Sequence, residues 1–285
     1  MALTLRPGTP ADAPVCGEIC YRAFAAIAQQ HNFPPDLPSP EVGVGLASAL
    51  LSRPDVYSVV AEADGRVLGS NFLWESSRIA AIGPITVDPE SQNHAVGRAL
   101  MLDVMGRATR GGFAGIRLVQ SAYHNRSLGL YTKLGFDARE SLSTIQGPGI
   151  GTTPPGLTVR LAAESDVAAC DALCLAVHGH DRSAELQESI TQGSATVVER
   201  HGRITGYATV VGFFGHSVAE TNDDLKALIA AAASFAGPGF LLPTRNADVL
   251  RWCLAHGLRI VQPMTLMSIG LYNEPRGAFM PSVLY

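Results

Sequence analysis

Apolar and polar positions recur along this chain with two periods, and the changes from one to the other mark out its elements. Leu3 to Arg6 alternates and reads as a short first strand. From Asp12 to about Gln30, apolar residues at Val15 and Ile19 follow helical spacing, with Thr9 as a candidate cap. The segment from Pro34 to Pro40 holds four prolines, which fix φ and lack donors, so it is a loop. Val42 to Ser52 reads as a second helix, weakened by Gly43 and Gly45. Val56–Ala61 and Arg66–Trp74 form a hairpin around Ala63-Asp64-Gly65. Ile79 to Val87 is an apolar, β-branched run and reads as one strand. A helix to about Thr109, a strand from Gly115 to Ser121 and a short helix from Asn125 to Leu134 complete the set.

The pattern then repeats. Leu3-Thr4-Leu5-Arg6 is followed by Asp12, Cys16 and Cys20, and Leu157-Thr158-Val159-Arg160 by Asp166, Cys170 and Cys174 at the same spacing. Gly65-Arg66-Val67-x-Gly69 matches Gly202-Arg203-Ile204-x-Gly206, and Leu134-Gly135-Phe136 matches His256-Gly257-Leu258. Three matches in one order indicate two copies of one fold. The distance between copies shortens at each match, so the second copy has lost residues in two places. The Gly/Pro-rich stretch from Gln146 to Gly156 reads as a surface linker. The expected domains are therefore residues 1–145, linker 146–156, and residues 157–285.

Composition narrows the function. The chain has 285 residues, with 47% apolar and 16% charged, which describes a globular chain with a sizeable core. Net charge is −4 with no block of like charges, which argues against a nucleic-acid partner. No run of 18 apolar residues points to a membrane span. The opening Met1–Pro7 lacks the apolar region of a signal peptide, so the expected location is cytoplasmic. Cys16, Cys20, Cys170, Cys174 and Cys253 lack a metal-ligand pattern and read as small core residues in a reducing compartment. Oligomeric state cannot be read from the sequence.

The chemistry centres on the turn between strand 79–87 and the next helix. It reads Gln92-x-x-Ala95-x-Gly97-Arg98-Ala99. A helix start presents unpaired N–H groups and a partial positive charge, and small residues let a ligand approach the backbone. The turn suits a phosphate or pyrophosphate. It is neither a P-loop nor a dinucleotide fingerprint. It resembles the acetyl-CoA pyrophosphate loop of the GNAT acetyltransferase superfamily, Arg/Gln-x-x-Gly-x-Gly/Ala. The alanine at 95 is a mild departure, since alanine tolerates helical angles. A later segment, Asn125 to Phe136, resembles the family's Asn-x-x-(Ala/Ser)-x-x-x-Tyr-x-Lys/Arg-x-Gly-Phe, here spaced Asn125, Leu128, Tyr131, Lys133, Gly135, Phe136.

The resemblance implies an α/β (α+β) architecture of two GNAT-like domains, each a mixed, mostly antiparallel sheet flanked by helices. It implies acetyl-CoA as co-substrate. Ile85, Thr86 and Val87 would pair with the pantetheine arm, with the Val87 amide facing the carbonyl. Gln92, Asn93, His94, Ala95, Val96, Gly97, Arg98 and Ala99 would hold the pyrophosphate. Asn125 would bind the pantetheine side, and Tyr131 would protonate the leaving thiolate. Tyr21, Phe24, His31, Asn32 and Phe33 are placed to line the acceptor pocket, or else Tyr21 and Phe24 pack in the core and the other three belong to a solvated loop.

Many relatives carry a glutamate base on the strand before the loop, but 79–87 holds no carboxylate. Glu75 and His124 are the nearest titratable residues, and both also read as solvated. The second copy keeps no pyrophosphate loop, and Asn222-Asp223-Asp224 opens its corresponding helix with charges that repel phosphate. His178-Gly179-His180-Asp181-Arg182 reads as a solvated or interdomain loop rather than a metal site. The expected activity is N-acetylation of a small-molecule primary amine by direct attack in a ternary complex. The alternative is a catalytically weak acyl-CoA-binding sensor or assembly module.

Overall fold

The computed structural model describes residues 3–92 and 95–284. By packing, the chain divides into two units. The first comprises Met1–Leu118, Tyr123–Asp137 and Ser268–Leu271, and the second comprises Val119–Ala122, Ala138–Met267 and Tyr272–Tyr285. Each unit therefore draws on residues from both sides of the Gly/Pro segment 146–156.

In the first unit, β1 (Thr4–Pro7) leads through a short 3-10 turn into α1 (Ala13–Gln30), and α2 (Pro40–Ser52) follows. Next come β2 (Val56–Ala63), β3 (Arg66–Trp74), β4 (Ile79–Ile82), β5 (Thr86–Val87), α3 (Val96–Arg110), β6 (Gly115–Ser121) and α4 (Asn125–Lys133). β1, β2, β3 and β4 pair antiparallel in sequence, and β4 pairs parallel with β6. Side chains on β3 alternate between two faces. Phe72 joins Cys16, Leu50, Val56 and Val60 in a cluster beneath α1 and α2. Asn71 faces the other way and donates to the Leu100 carbonyl of α3 at 3.4 Å. The sheet thus lies between α1/α2 and α3.

The expected single strand 79–87 is broken. β4 stops at Ile82, Gly83 takes φ 143° and Pro84 has no N–H to give a ladder. The chain resumes as β5, paired with β3 through Gly69↔Val87 and Ser70↔Thr86. Gly69 permits that approach, because a Cβ there would stand 2.3 Å from the Thr86 carbonyl oxygen.

The second unit contains β7 (Asp137–Gln146), β8 (Thr158–Leu161), α5 (Val167–His178), α6 (Ser183–Thr191), β9 (Thr196–Arg200), β10 (Arg203–Ala208) and β11 (Ser217–Ala219). It continues with α7 (Asn222–Ala231), β12 (Phe240–Pro243), α8 (Ala247–Ala255), β13 (Arg259–Gly270), whose residues from Ser268 onward belong to the first unit, and β14 (Ala278–Met280). Five strands run in the order β14-β11-β10-β9-β8, all antiparallel, and β12 pairs with β7.

The internal repeat has a physical core. Arg6 bridges Asp12 at 2.7 Å and also Glu62. Arg160 bridges Asp166 at 2.6 Å and Glu199 at 2.7 Å. In both units the arginine is the third residue of the four-residue first strand, the aspartate opens the first helix, and the glutamate lies on the paired strand.

In the segment His178–Arg182 only Gly179 is exposed, against the solvated reading of the loop. His178, His180 and Arg182 are buried. Glu185 of α6, a helix the sequence pattern missed, neutralises Arg182 at 2.6 Å, and the His178 ring meets the Phe279 ring edge-on. All five cysteines are free and buried. Among the described residues no helix is long and apolar enough to cross a membrane.

Candidate active site

The site is built at the end of β5. Asp88 donates its N–H to the Leu68 carbonyl at 2.8 Å. Neighbouring residues of a strand direct their backbone groups to opposite edges, so the Val87 N–H and carbonyl point away from β3. β5 has no strand partner other than β3 in the described sheet. One strand edge is therefore open, with the Val87 N–H along it.

The turn that follows is pinned at its first residue. Asp88, 6% exposed at its side chain, is bridged by Arg22 of α1 at 2.7 Å and accepts from the Glu90 N–H at 3.1 Å. Sequence reading gave no role to Arg22, because nothing local links a helix residue to a turn 66 positions away. Asn93 and His94 lie outside the described residues. Ala95 stands at the N-cap of α3 with φ 61° and ψ 4°, and no side chain caps the helix. The first helical bond is Ala99 N–H to the Ala95 carbonyl, leaving the amides of Val96, Gly97 and Arg98 ahead of the ladder. Val96 is buried, while Arg98 is exposed. Ala95 corrects the reading of a mild departure: it adopts a left-handed rather than a helical conformation, where a Cβ is disfavoured.

α4 lies against this corner. A Cβ on Gly97 would be 3.7 Å from both Leu130 of α4 and Val87 of β5. Arg126 donates to the Gln92 side chain at 2.6 Å. Tyr131, the residue after Leu130, is buried, and its ring meets Phe136 edge-on. The Ser127 hydroxyl hydrogen-bonds the Tyr131 phenol, whose pKa burial pushes up to about 12. Ser127 Oγ also lies 2.7 Å from His124 Nδ1. Burial, followed by the charges of Arg126 and His31, pushes the His124 pKa down to about 4.

The model of the acetyltransferase (GNAT) family matches residues 24–136, less than half of the chain. Residues 24–136 are a GNAT acetyltransferase domain. The domain is that of an acyltransferase with acetyl-CoA as co-substrate. No protein of curated function matches the sequence. Three solved structures share the fold over nearly the whole chain. A candidate acetyltransferase from Pyrococcus horikoshii is 18% identical, with TM-score 0.73, covering 99% of this chain and 94% of that one. A GCN5-related N-acetyltransferase from Sphaerobacter thermophilus is 16% identical, with TM-score 0.63, covering 95% and 96%. A tandem GNAT protein from the clavulanic acid biosynthesis pathway is 14% identical, with TM-score 0.57, covering 94% and 98%. At these identities the likeness is one of fold, and it extends past the matched domain into the second half.

Within the GNAT domain, the second motif has to be recounted. Counted back seven residues from Tyr131, the asparagine position falls on His124 and the small-residue position on Ser127. Positions 124, 127 and 131 share one helical face, whereas Asn125 lies about 120° round from Tyr131. Asn125 is accordingly exposed at the first position of α4. His124 is half-buried rather than solvated.

The acceptor-side residues divide. Phe33 stacks on Tyr123 at 4.2 Å between ring centroids, and His31 tilts against the same ring at 5.4 Å. Both therefore stand beside the start of α4. Asn32 between them takes φ 59°, which asparagine tolerates. Tyr21 is half-buried against α2, its Cβ 3.3 Å from the Cβ position of Gly43, and Phe24 is half-buried on α1. Glu75 does not join them. It forms a bidentate pair with Arg107 at 2.7 and 2.9 Å, toward the opposite end of α3 from the turn, about 17 Å along the helix. Ile85 precedes β5 and is outside any strand, while Thr86 is buried within it.

In the second unit, α7 starts differently from α3. Thr221 accepts from the Asp224 N–H, and Asp224 Oδ2 accepts from the Thr221 hydroxyl at 2.6 Å and its N–H at 3.2 Å. Arg200 bridges Asp224 at 3.1 Å. Its own side chains occupy that helix start.

Proposed function

We propose that the protein is an N-acetyltransferase that transfers the acetyl group of acetyl-CoA to a primary amine of a small molecule by direct attack in a ternary complex. The observation that carries this reading is the open edge of β5 at Val87, set beside the uncapped start of α3 and in reach of α4. The pyrophosphate would lie on the amides of Val96, Gly97 and Arg98, with Gln92, Ala95 and Ala99 shaping the turn and Arg126 adding charge. The pantetheine arm would extend β5 along Thr86 and Val87. The Val87 N–H would then polarise the thioester carbonyl as the oxyanion forms.

Tyr131 supplies the proton to the thiolate. Strand residues 79–87 hold no carboxylate, and Glu75 is committed to Arg107, so this reading assigns the amine's proton to no carboxylate base. The acceptor therefore arrives as the free amine and sheds its proton to solvent. His31, Phe33 and Tyr123 form the aromatic wall that receives it. The absence of a carboxylate base also supports a second reading, an acyl-CoA-binding sensor with little turnover. The buried, free cysteines support a reducing, cytoplasmic location.

Thiol release from acetyl-CoA with a panel of alkylamines, arylamines and aminoglycosides separates the two readings. Turnover on one class supports the enzyme. Tight acetyl-CoA binding with no turnover on any of them would leave the sensor.

A further inference from the structure

The buried phenol of Tyr131 poses a problem that the pairings around it answer. Once it has given its proton to the thiolate, the phenolate has no direct exchange with bulk water, because Tyr131 is only 6% exposed. An uncompensated buried charge is costly. A polar chain leads from it to Ser127, one helical turn back on the same face, and on to His124 Nδ1, 2.7 Å from Ser127 Oγ. His124 is half-buried and so reaches solvent.

The geometry points to a proton relay, Tyr131–Ser127–His124, in which Ser127 and His124 are positioning residues that recharge Tyr131 after each acetyl transfer. The inference rests on the acid role of Tyr131 proposed above. The bonds balance as follows. The amine nitrogen bonds to the acetyl carbon and the C–S bond breaks. The thiolate takes the Tyr131 proton, and the amine loses one proton to solvent. Ser127 passes its hydroxyl proton to the phenolate, and His124 passes its Nδ1 proton to the Ser127 oxygen. Nε2 takes one proton from solvent, and exchange at the ring then restores the starting tautomer. Because the phenol holds its proton up to about 12, recharging from neutral water runs downhill. The groups facing His124 favour a neutral ring able to pass a proton through: Arg126 on its own helix and His31 from the end of α1 both disfavour the imidazolium.

Steady-state kcat, single-turnover rates and imidazole ¹⁵N NMR test the relay. Tyr131→Phe should slow even the first turnover about 10²–10⁴-fold. Ser127→Ala should lower steady-state kcat at least roughly tenfold and slow the first turnover, for which Tyr131 begins protonated, much less, and Ser127→Thr, which keeps the hydroxyl, should restore most of kcat. In the Tyr131→Phe background, Ser127→Ala should cost nothing further, because the two act in one chain. Ser127→Ala at the wild-type kcat, or additive losses in the double variant, would overturn the relay while leaving the acid role of Tyr131 standing. Tyr131→Phe at full first-turnover rate would remove both. The NMR measurement does not depend on turnover. His124, assigned by comparison with His124→Gln, should carry its proton on Nδ1 at pH 7, and its signal should move in Ser127→Ala. A proton resident on Nε2 would reverse the bond to Ser127 and overturn the proposal.

Discussion

Arg126 of α4 donates to the side chain of Gln92 at 2.6 Å, joining the two motifs of the GNAT domain across the turn that precedes α3. The bond does two things. It fixes the residue at which the turn begins, and it brings a guanidinium to the place where a pyrophosphate would lie.

Arg126→Ala should therefore weaken acetyl-CoA binding roughly three- to tenfold, about 1 kcal/mol, with the rate at saturating acetyl-CoA little changed. Part of that loss is electrostatic, so the gap between variant and wild type should narrow as salt is raised. Calorimetry at two ionic strengths reads both effects. Equal affinity for variant and wild type at low salt would place the pyrophosphate away from this arginine.

Ala95 gives a prediction of opposite sign. Its φ of 61° costs a side-chain-bearing residue about 1–2 kcal/mol, against about 0.5–1 kcal/mol of extra chain entropy for glycine. Ala95→Gly should accordingly leave stability unchanged or raise it by up to about 1 kcal/mol, and it should not weaken acetyl-CoA. A denaturant titration showing a loss larger than about 1 kcal/mol would mean that the Ala95 methyl makes contacts that outweigh its strain.

One acetyl-CoA should bind per chain. The start of α7 is closed by the Thr221–Asp224 capping box and carries Asp223 and Asp224 in its first turn. Gly97→Glu should abolish the single site, because a carboxylate at the start of α3 would face the pyrophosphate. A stoichiometry of two, or unchanged affinity in a folded Gly97→Glu variant, would put a binding site in the second unit.

Acid should destabilise the fold in a window set by two histidines. Burial lowers the pKa of His124 and of His216 to about 4 from an ordinary value near 6.5. The unfolded chain then binds more protons than the folded one between those values. Stability should hold above about pH 6.5 and fall as pH drops towards about 4. Asp12 and Glu185, both lowered to about 2, add their losses at still lower pH. Thermal unfolding against pH should show a shallower slope from 6.5 to 4 in His124→Gln. An unchanged slope would mean that His124 does not titrate in that window.

What the sequence disclosed follows the range of the forces involved. The repeat was legible in Arg6–Asp12 and Arg160–Asp166 because strand, turn and helix lie close in the chain. The start of α3 was legible because a turn between strand and helix is local chemistry. The break between β4 and β5 was also written locally, in Gly83-Pro84, but a continuous apolar run masked it. The pairing of Glu75 with Arg107 and of Arg22 with Asp88 depends on which helix the sheet brings alongside, and no local pattern encodes that. His124 and Ser127 were within reach. Counting helical turns back from Tyr131 finds them, whereas anchoring on the nearest asparagine does not.

The four residues Ser268–Leu271 carry a consequence for the order in which the protein is made. Leu271 bonds the Ala114 carbonyl at 2.9 Å, next to the first residue of β6, so the first unit is closed by a piece of chain near the other end of the sequence. A ribosome releases the GNAT domain's own residues long before that piece exists. Until it arrives, this flank of β6 is an open strand edge, the kind of surface that pairs with a neighbouring chain. Synthesis of the second half is thus a step in folding the first, and a polypeptide halted after residue 145 would emerge with its sheet unfinished.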